Sequence, residues 1–132
     1  MVGRVISRGE AYGEALVSKQ PLSFFGGVDE KTGIVTMKGH ELEGKCIKDK
    51  ILVFPKGVGS TAGSWKIYSL SKNKVAPKAI INQETEPIIA VGAILAGIPL
   101  IDKLNIDPLK VISDGDLVRI TPQGKVIVQK KE

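Results

Sequence analysis

Apolar residues along this chain fall in short runs separated by glycine, proline or charge. Val2 to Ser7 and Ala11 to Lys19, parted by Arg8, Gly9 and Glu10, predict two strands, and the β-branched segment Gly33 to Met37 predicts a third. Ile51 to Phe54 is apolar at every position, the pattern of a strand covered on both faces. Lys78 to Asn82, Leu100 to Ile101, Leu117 to Thr121 and Lys125 to Gln129 predict further strands, the last pair set off by turn residues at Asp114 to Asp116 and Gln123 to Gly124. Two helices interrupt them. Ser60 or Thr61 is placed to cap one running through Trp65, Ile67, Tyr68 and Leu70, and Thr85, Glu86 and Pro87 open another that Gly97 and Pro99 end. Ala90, Ala93 and Ala96 make one side of that second helix small enough to lie flat against a sheet. Strands with two inserted helices predict an α/β, β-rich, barrel-like fold in one domain over residues 1–132; helical crossovers are too few for a doubly wound sheet.

The longest apolar stretch, Ile88 to Ile101, is broken by Gly92, Gly97 and Pro99; it is too short for a bilayer and predicts a buried helix leading into a strand. Met1 to Glu10 has no signal-peptide character, so a soluble, cytoplasmic protein is expected. Cys46 and His40 are the only residues of their kinds. One cysteine excludes an internal disulfide, and the pair cannot supply the ligands of a zinc or iron–sulfur site. The net charge of +5 comes from scattered lysines, and aromatic residues make up 5% of the chain, too few for a nucleic-acid stacking platform.

Candidate chemistry concentrates in Pro55 to Trp65, a glycine-rich loop between a strand and a helix. Backbone N–H groups at a helix start attract an anion, and a hydroxyl held there loses its proton more readily than a free serine. Ser60 is that hydroxyl, and a plain helix cap is the alternative. The loop is no P-loop, because Ser64 and Trp65 follow Gly63 where lysine is needed, and its glycines at 57, 59 and 63 do not fit the dinucleotide spacing. A serine-hydrolase reading would join Ser60 to His40 and to Asp29 or Asp49, but the Gly-x-Ser-x-Gly elbow is missing. Leu22 to Gly33 is a second loop, where Phe24 and Phe25 precede Gly26 and Gly27; it is either a substrate-facing loop or an apolar anchor before a turn.

SFFGGVDEKTG at Ser23 to Gly33, GHELEGK at Gly39 to Lys45 and ILVFPKGVGSTAGSW at Ile51 to Trp65 together resemble the swivelling domain of the aconitase X family. The resemblance covers nearly the whole chain, and its most specific part is Gly57-Val58-Gly59-Ser60. It implies a swivelling β/β/α barrel that docks on a larger subunit carrying a 4Fe–4S cluster, no metal being bound by this chain. It further implies a heterodimer that dehydrates a small phosphorylated hydroxy acid, (R)-5-phosphomevalonate, with another hydroxy acid such as hydroxyproline as the alternative. Ser60 matches the serine that takes the carbon-bound proton. Lys56, Gly59, Thr61, Gly63 and Ser64, with Gly26 and Gly27 from the other loop, would then bind substrate, and Lys66 could add charge. Thr61 stands where relatives commonly carry a second serine, and no arginine directly follows Ser60. A swivelling carrier domain would instead need an exposed histidine in a glycine loop; His40 lacks the threonine usual before it.

Overall fold

A computed structural model describes residues 1–131. Four strands, β2 (Ala11–Val17), β3 (Ile51–Phe54), β4 (Ala79–Asn82) and β5 (Leu100–Asp102), lie parallel in the centre of one seven-stranded sheet. β1 (Arg4–Ser7) pairs antiparallel with β5 at one end, while β6 (Leu117–Ile120) and β7 (Val126–Gln129) add antiparallel beyond β2 at the other. The sheet curls until its two edges meet. Gly3 N–H donates to Gly124 O at 3.0 Å and Val126 N–H to Met1 O at 2.7 Å, so the outer edges satisfy one another as a barrel's do.

The run Ile51 to Phe54 shows why this closure works. Ile51 and Val53 point into one apolar cluster with Ala79, Ile81 and Ile101, inside the curl; Leu52 and Phe54 point into the other with Ile80 and Leu100, under the helices. All eight positions of β3 and β4 are buried, as expected of strands covered on both faces.

Helices α1 (Gly63–Lys72) and α2 (Pro87–Ala96) are the crossovers β3 to β4 and β4 to β5. α2 begins and ends where its sequence signals place it. Glu86 accepts from the amides of Ile88 and Ile89, Pro87 occupies the first turn, and Gly97 closes the helix at φ +70°. Ile89 and Ala93, with Ala96 beside them, pack it on the sheet side chains Leu52, Phe54, Ile80 and Leu100, as expected; it also closes on α1 at Gly92, where an added Cβ would lie 2.7 Å from Ile67 Cδ1 and 3.2 Å from Ser64 Cα. Yet it is not wholly buried, since Ile89, Gly92 and Ala93 are covered while Val91, Ile94 and Leu95 are exposed.

Three further differences have local causes. Gly33 to Met37 forms no strand but two single bridges, Val28 with Val35 and Ile34 with Cys46, because Gly26, Gly33, Gly39 and Gly44 all take positive φ and keep the 18–50 connection turning. Leu22, Phe24, Val28, Val35, Leu42 and Ile47 anchor that connection in the core. α1 starts later than the hydroxyls suggest: its cap is Ala62, with no side-chain hydrogen bond. A four-residue helix, α3 (Pro108–Val111), is started by Asp107 accepting from Leu109 N–H, in a segment for which the sequence reading assigned no element.

Candidate functional site

The glycine loop leaves the carboxyl end of β3, the edge at which parallel α/β sheets place their ligands. Two clamps hold its base. Leu22 N–H donates to Lys56 O and Val58 N–H to Leu22 O, both at 3.2 Å, tying it to the Leu22–Val28 loop. Behind it, buried Asn82 donates through Nδ2 to Phe54 O at 3.0 Å and accepts from the Thr85 hydroxyl at 3.2 Å. Thr85 N–H in turn donates to the buried carboxylate of Asp102, which also receives Nε and Nη2 of Arg4 at 2.9 and 2.8 Å. Burial would push that carboxyl up; the Arg4 hydrogen bonds, the Thr85 amide and the Arg4 charge outweigh it and hold Asp102 below the usual carboxylate range.

Tertiary contacts account for the glycines. A Cβ on Gly57 would overlap Ile89 and sit 2.5 Å from Glu86 Oε1, so only glycine lets the loop touch the start of α2. Gly59 has φ +95°, and its Cβ would come within 2.6 Å of Ser23 Oγ. Gly63 is pressed between Ile88 and the backbone of Phe25.

Ser60 is exposed at the tip. Its Oγ accepts from Ala62 N–H at 3.1 Å, two residues on, so it makes a short hydroxyl turn ahead of α1 instead of capping it. The loop then tightens through Gly63 N–H to Ser60 O at 2.9 Å and Ser64 N–H to Thr61 O at 3.2 Å. The N–H groups of Gly59, Ser60 and Thr61 donate to no protein group among the described residues. Three N–H groups without a protein acceptor and one exposed hydroxyl therefore lie just ahead of the positive end of α1, an arrangement suited to a carboxylate or phosphate.

The other candidate residues divide by where their polar groups go. Lys56 is exposed and has no carboxylate within ion-pair distance among the described residues. Lys66 is turned to Glu30 at 3.7 Å. Ser64 is buried, and its Oγ donates to Ile88 O at 2.7 Å, spending the hydroxyl on α2. Gly26 and Gly27 shape the neighbouring loop, where Thr36 bonds their carbonyls through Oγ1 at 3.2 Å and N–H at 2.9 Å. His40 is no partner for Ser60: buried, it faces Pro21 O through Nε2 at 3.1 Å and accepts from Leu42 N–H through Nδ1 at 3.0 Å. Asn82, Glu86 and Ser23 support the loop; the sequence marks Glu86 only as the start of a helix and gives no local signal for Asn82 or Ser23 in this role.

The donor set of this chain does not fit an iron–sulfur cluster. Cys46 lies in the 18–50 connection with Sγ 3.4 Å from Thr32 O, and no three ligating side chains converge among the described residues. A concavity of about 910 Å³ between the β2 end and α3 contains no residue of the Ser60 loop, and its carboxylates serve backbone amides: Glu41 that of Lys19, Asp107 that of Leu109, Asp114 that of Val17. No helix among the described residues is long and apolar enough to cross a membrane.

Comparison with known proteins agrees with this geometry. The chain is 58% identical over 118 residues to the phosphomevalonate dehydratase small subunit of Methanosarcina mazei, covering 89% of this chain and 82% of that one. It is 50% identical over 129 residues to the small subunit of the same name from Thermococcus sibiricus, covering 97% of each. The crystal structure of Thermococcus kodakaraensis aconitase X in its holo-form superposes with a TM-score of 0.92 at 48% identity, over 98% of this chain and 97% of that one. The model of the aconitase X swivel domain matches residues 1–129, and the chain belongs to that family.

Proposed function

We propose that this chain is the small subunit of a hydro-lyase that dehydrates (R)-5-phosphomevalonate to trans-anhydromevalonate 5-phosphate, with Ser60 as the proton acceptor. The observation that carries the reading is exposed Ser60, set among three N–H groups that have no protein acceptor among the described residues, just ahead of α1. The names and identities of the relatives supply the substrate class.

Dehydration breaks a C–H and a C–OH bond and forms C=C, so it needs a base for the carbon-bound proton, an acid for the departing hydroxyl and an anchor for the carboxylate. In this reading Ser60 Oγ is the base. The Ala62 N–H and the positive end of α1 stabilise negative charge on that oxygen, though no basic side chain among the described residues accepts its proton. The amides of Gly59, Ser60 and Thr61 anchor one anionic group of the substrate, and Lys56 is free to meet another. Gly26, Gly27, Gly63 and Ser64 shape the cradle. The acid for the hydroxyl lies outside this chain, and a 4Fe–4S cluster, if the enzyme carries one, is held by the large subunit.

The test is reconstitution. The chain alone should be inactive and should turn over phosphomevalonate when mixed anaerobically with the large subunit. Ser60→Ala should assemble normally while kcat falls by about 10² to 10⁴, the range of a lost general base. Near-normal turnover in Ser60→Ala would return Ser60 to a purely structural role.

A further inference from the structure

We propose that the outer face of α2, formed by Val91, Ile94 and Leu95 and extended by Trp65 of α1, is the surface on which the large subunit docks. This rests on the reading of the chain as a small subunit, and it assigns the partner's position.

The helix itself supplies the first argument. α2 reads PIIAVGAILA, without one charged or hydrogen-bonding side chain. A helix apolar on all sides belongs to an interior, whereas a surface helix carries polar residues on its outer side. This chain covers only Ile89, Gly92 and Ala93; Ile94 is 58% exposed, and Val91 and Leu95 are each 48% exposed. Trp65, the largest exposed apolar side chain, is 64% exposed on the neighbouring helix. The two helices run side by side through Ser64 Oγ to Ile88 O and Ser71 Oγ to Ala96 O, so exposed Trp65 and the bare face of α2 belong to one packed helix pair. Several large apolar side chains left exposed on one helix pair mark an interaction site.

Position supplies the second. The patch begins at the candidate active loop: Ile88, one turn before Val91, packs on Gly63, which also meets the backbone of Phe25, itself exposed. A substrate held at Ser60 must meet the departing-hydroxyl acid on the loop's open side. Whatever carries that acid therefore covers the loop's rim, and the apolar stripe continues that rim. A second copy of this chain would fit worse. An isologous contact over the same patch would bring up another single cysteine and single histidine and leave the reaction without its missing acid.

The experiment titrates the purified large subunit, under anaerobic conditions, with the wild-type chain and with Leu95→Lys, Val91→Glu, Ile127→Lys and Ser60→Ala, and follows each chain alone by sedimentation. Lysine and glutamate at exposed helical positions leave the fold intact, which thermal melts verify, and two variants guard against failure of either. Leu95→Lys or Val91→Glu should raise the Kd for the large subunit at least tenfold, while kcat at saturating small subunit stays within about twofold. Ile127→Lys, exposed on β7, and Ser60→Ala should bind as wild type does. If wild type binds and both helix variants bind equally well, the docking face is wrong while the functional reading stands. If wild type does not bind the large subunit at all, the functional reading falls and takes this proposal with it. A wild-type dimer that Leu95→Lys dissociates, with unchanged affinity for the large subunit, would assign the face to a second copy and overturn the proposal.

Discussion

Replacing Gly57 by alanine tests whether the glycine loop is held against α2 as tightly as the geometry states. Gly57 is buried, and its φ lies outside the left-handed region, so alanine suits the backbone. Without a neighbour in the way, the substitution would stabilise the fold by about 0.4–1 kcal/mol, because the unfolded chain loses freedom. Here the new methyl group meets Ile89, which is 1% exposed and cannot swing away, and Glu86 Oε1, which caps α2 through Ile88 and Ile89 N–H at 2.8 and 2.9 Å. Overpacking costs about 1–3 kcal/mol and a disturbed cap about 1 kcal/mol. The net loss is about 1–3 kcal/mol. For a chain of 132 residues the unfolding entropy converts each kcal/mol into about 3–4 °C, so the melting temperature should fall by about 3–12 °C. Glu86→Ala by itself should cost about 1 kcal/mol. In that background Gly57→Ala should be milder by about the same amount, since one of its two obstacles is gone. Calorimetry on the four proteins closes the cycle. An unchanged or raised melting temperature for Gly57→Ala would refute the close approach. The loop carries Ser60, so turnover of the reconstituted enzyme should also drop by up to about a hundredfold with Ser60 untouched.

Other groups give independent tests. Lys130 Nζ on Asp116, at 2.6 Å, and the amides of Ser113 and Lys131 hold that carboxyl down at about 2 against the burial that opposes them. A folded value below the unfolded one contributes stability above about pH 4 that disappears as pH falls towards 2. Chemical denaturation should therefore show Asp116→Asn losing about 1–2 kcal/mol at pH 7, discounted for the exposed lysine, and much less at pH 2; an equal loss at both pH values would contradict the pairing. Arg4→Met strips Asp102 of its guanidinium and should destabilise the fold at pH 7, the buried carboxylate keeping Thr85 N–H. Because Asp102 also lies below its ordinary range, that deficit should shrink below about pH 4, and a pH-independent deficit would point to lost packing instead. Cys46→Ser should change stability by less than about 0.5 kcal/mol and leave reconstituted turnover intact, whereas a loss of turnover would make Cys46 a ligand or active-site group.

The elements legible in the sequence are those whose signals are local. Ile51 to Phe54 reads as a strand covered on both faces, and its side chains alternate between the two core clusters. Glu86, Pro87 and Gly97 bound α2 because capping depends on adjacent residues alone. The glycine loop stood out for its composition, yet the reason for each glycine lies in another part of the chain: Gly57 answers to Ile89 and Glu86, Gly59 to Ser23, Gly63 to Ile88. Periodicity cannot report such contacts. The same holds for Ser64, whose hydroxyl looks available beside Ser60 until α2 is placed against it. Gly33 to Met37 has strand-forming residues, but positive φ at Gly33 and Gly39 confines its extended stretch to single bridges.

α2 is the instructive failure. Its composition predicts a buried helix, yet four of its ten residues, Pro87, Val91, Ile94 and Leu95, are exposed. Composition records the surroundings under which a sequence works, and for a subunit those include the partner. The exposed face of α2 and the incomplete chemistry of Ser60 then have one explanation. In the proposed reaction Ser60 has an amide donor and unpaired N–H groups beside it but, among the described residues, no base and no acid for the leaving hydroxyl, and α2 has a packed inner face but no cover for the outer one. Ile88 of α2 meets Gly63, three residues after Ser60, so the helix and the loop adjoin. A large subunit seated there would bury the apolar stripe and close the site in one step, so binding and catalytic competence should rise together. Loss of affinity in Leu95→Lys without loss of kcat at saturation separates that coupling from direct chemistry.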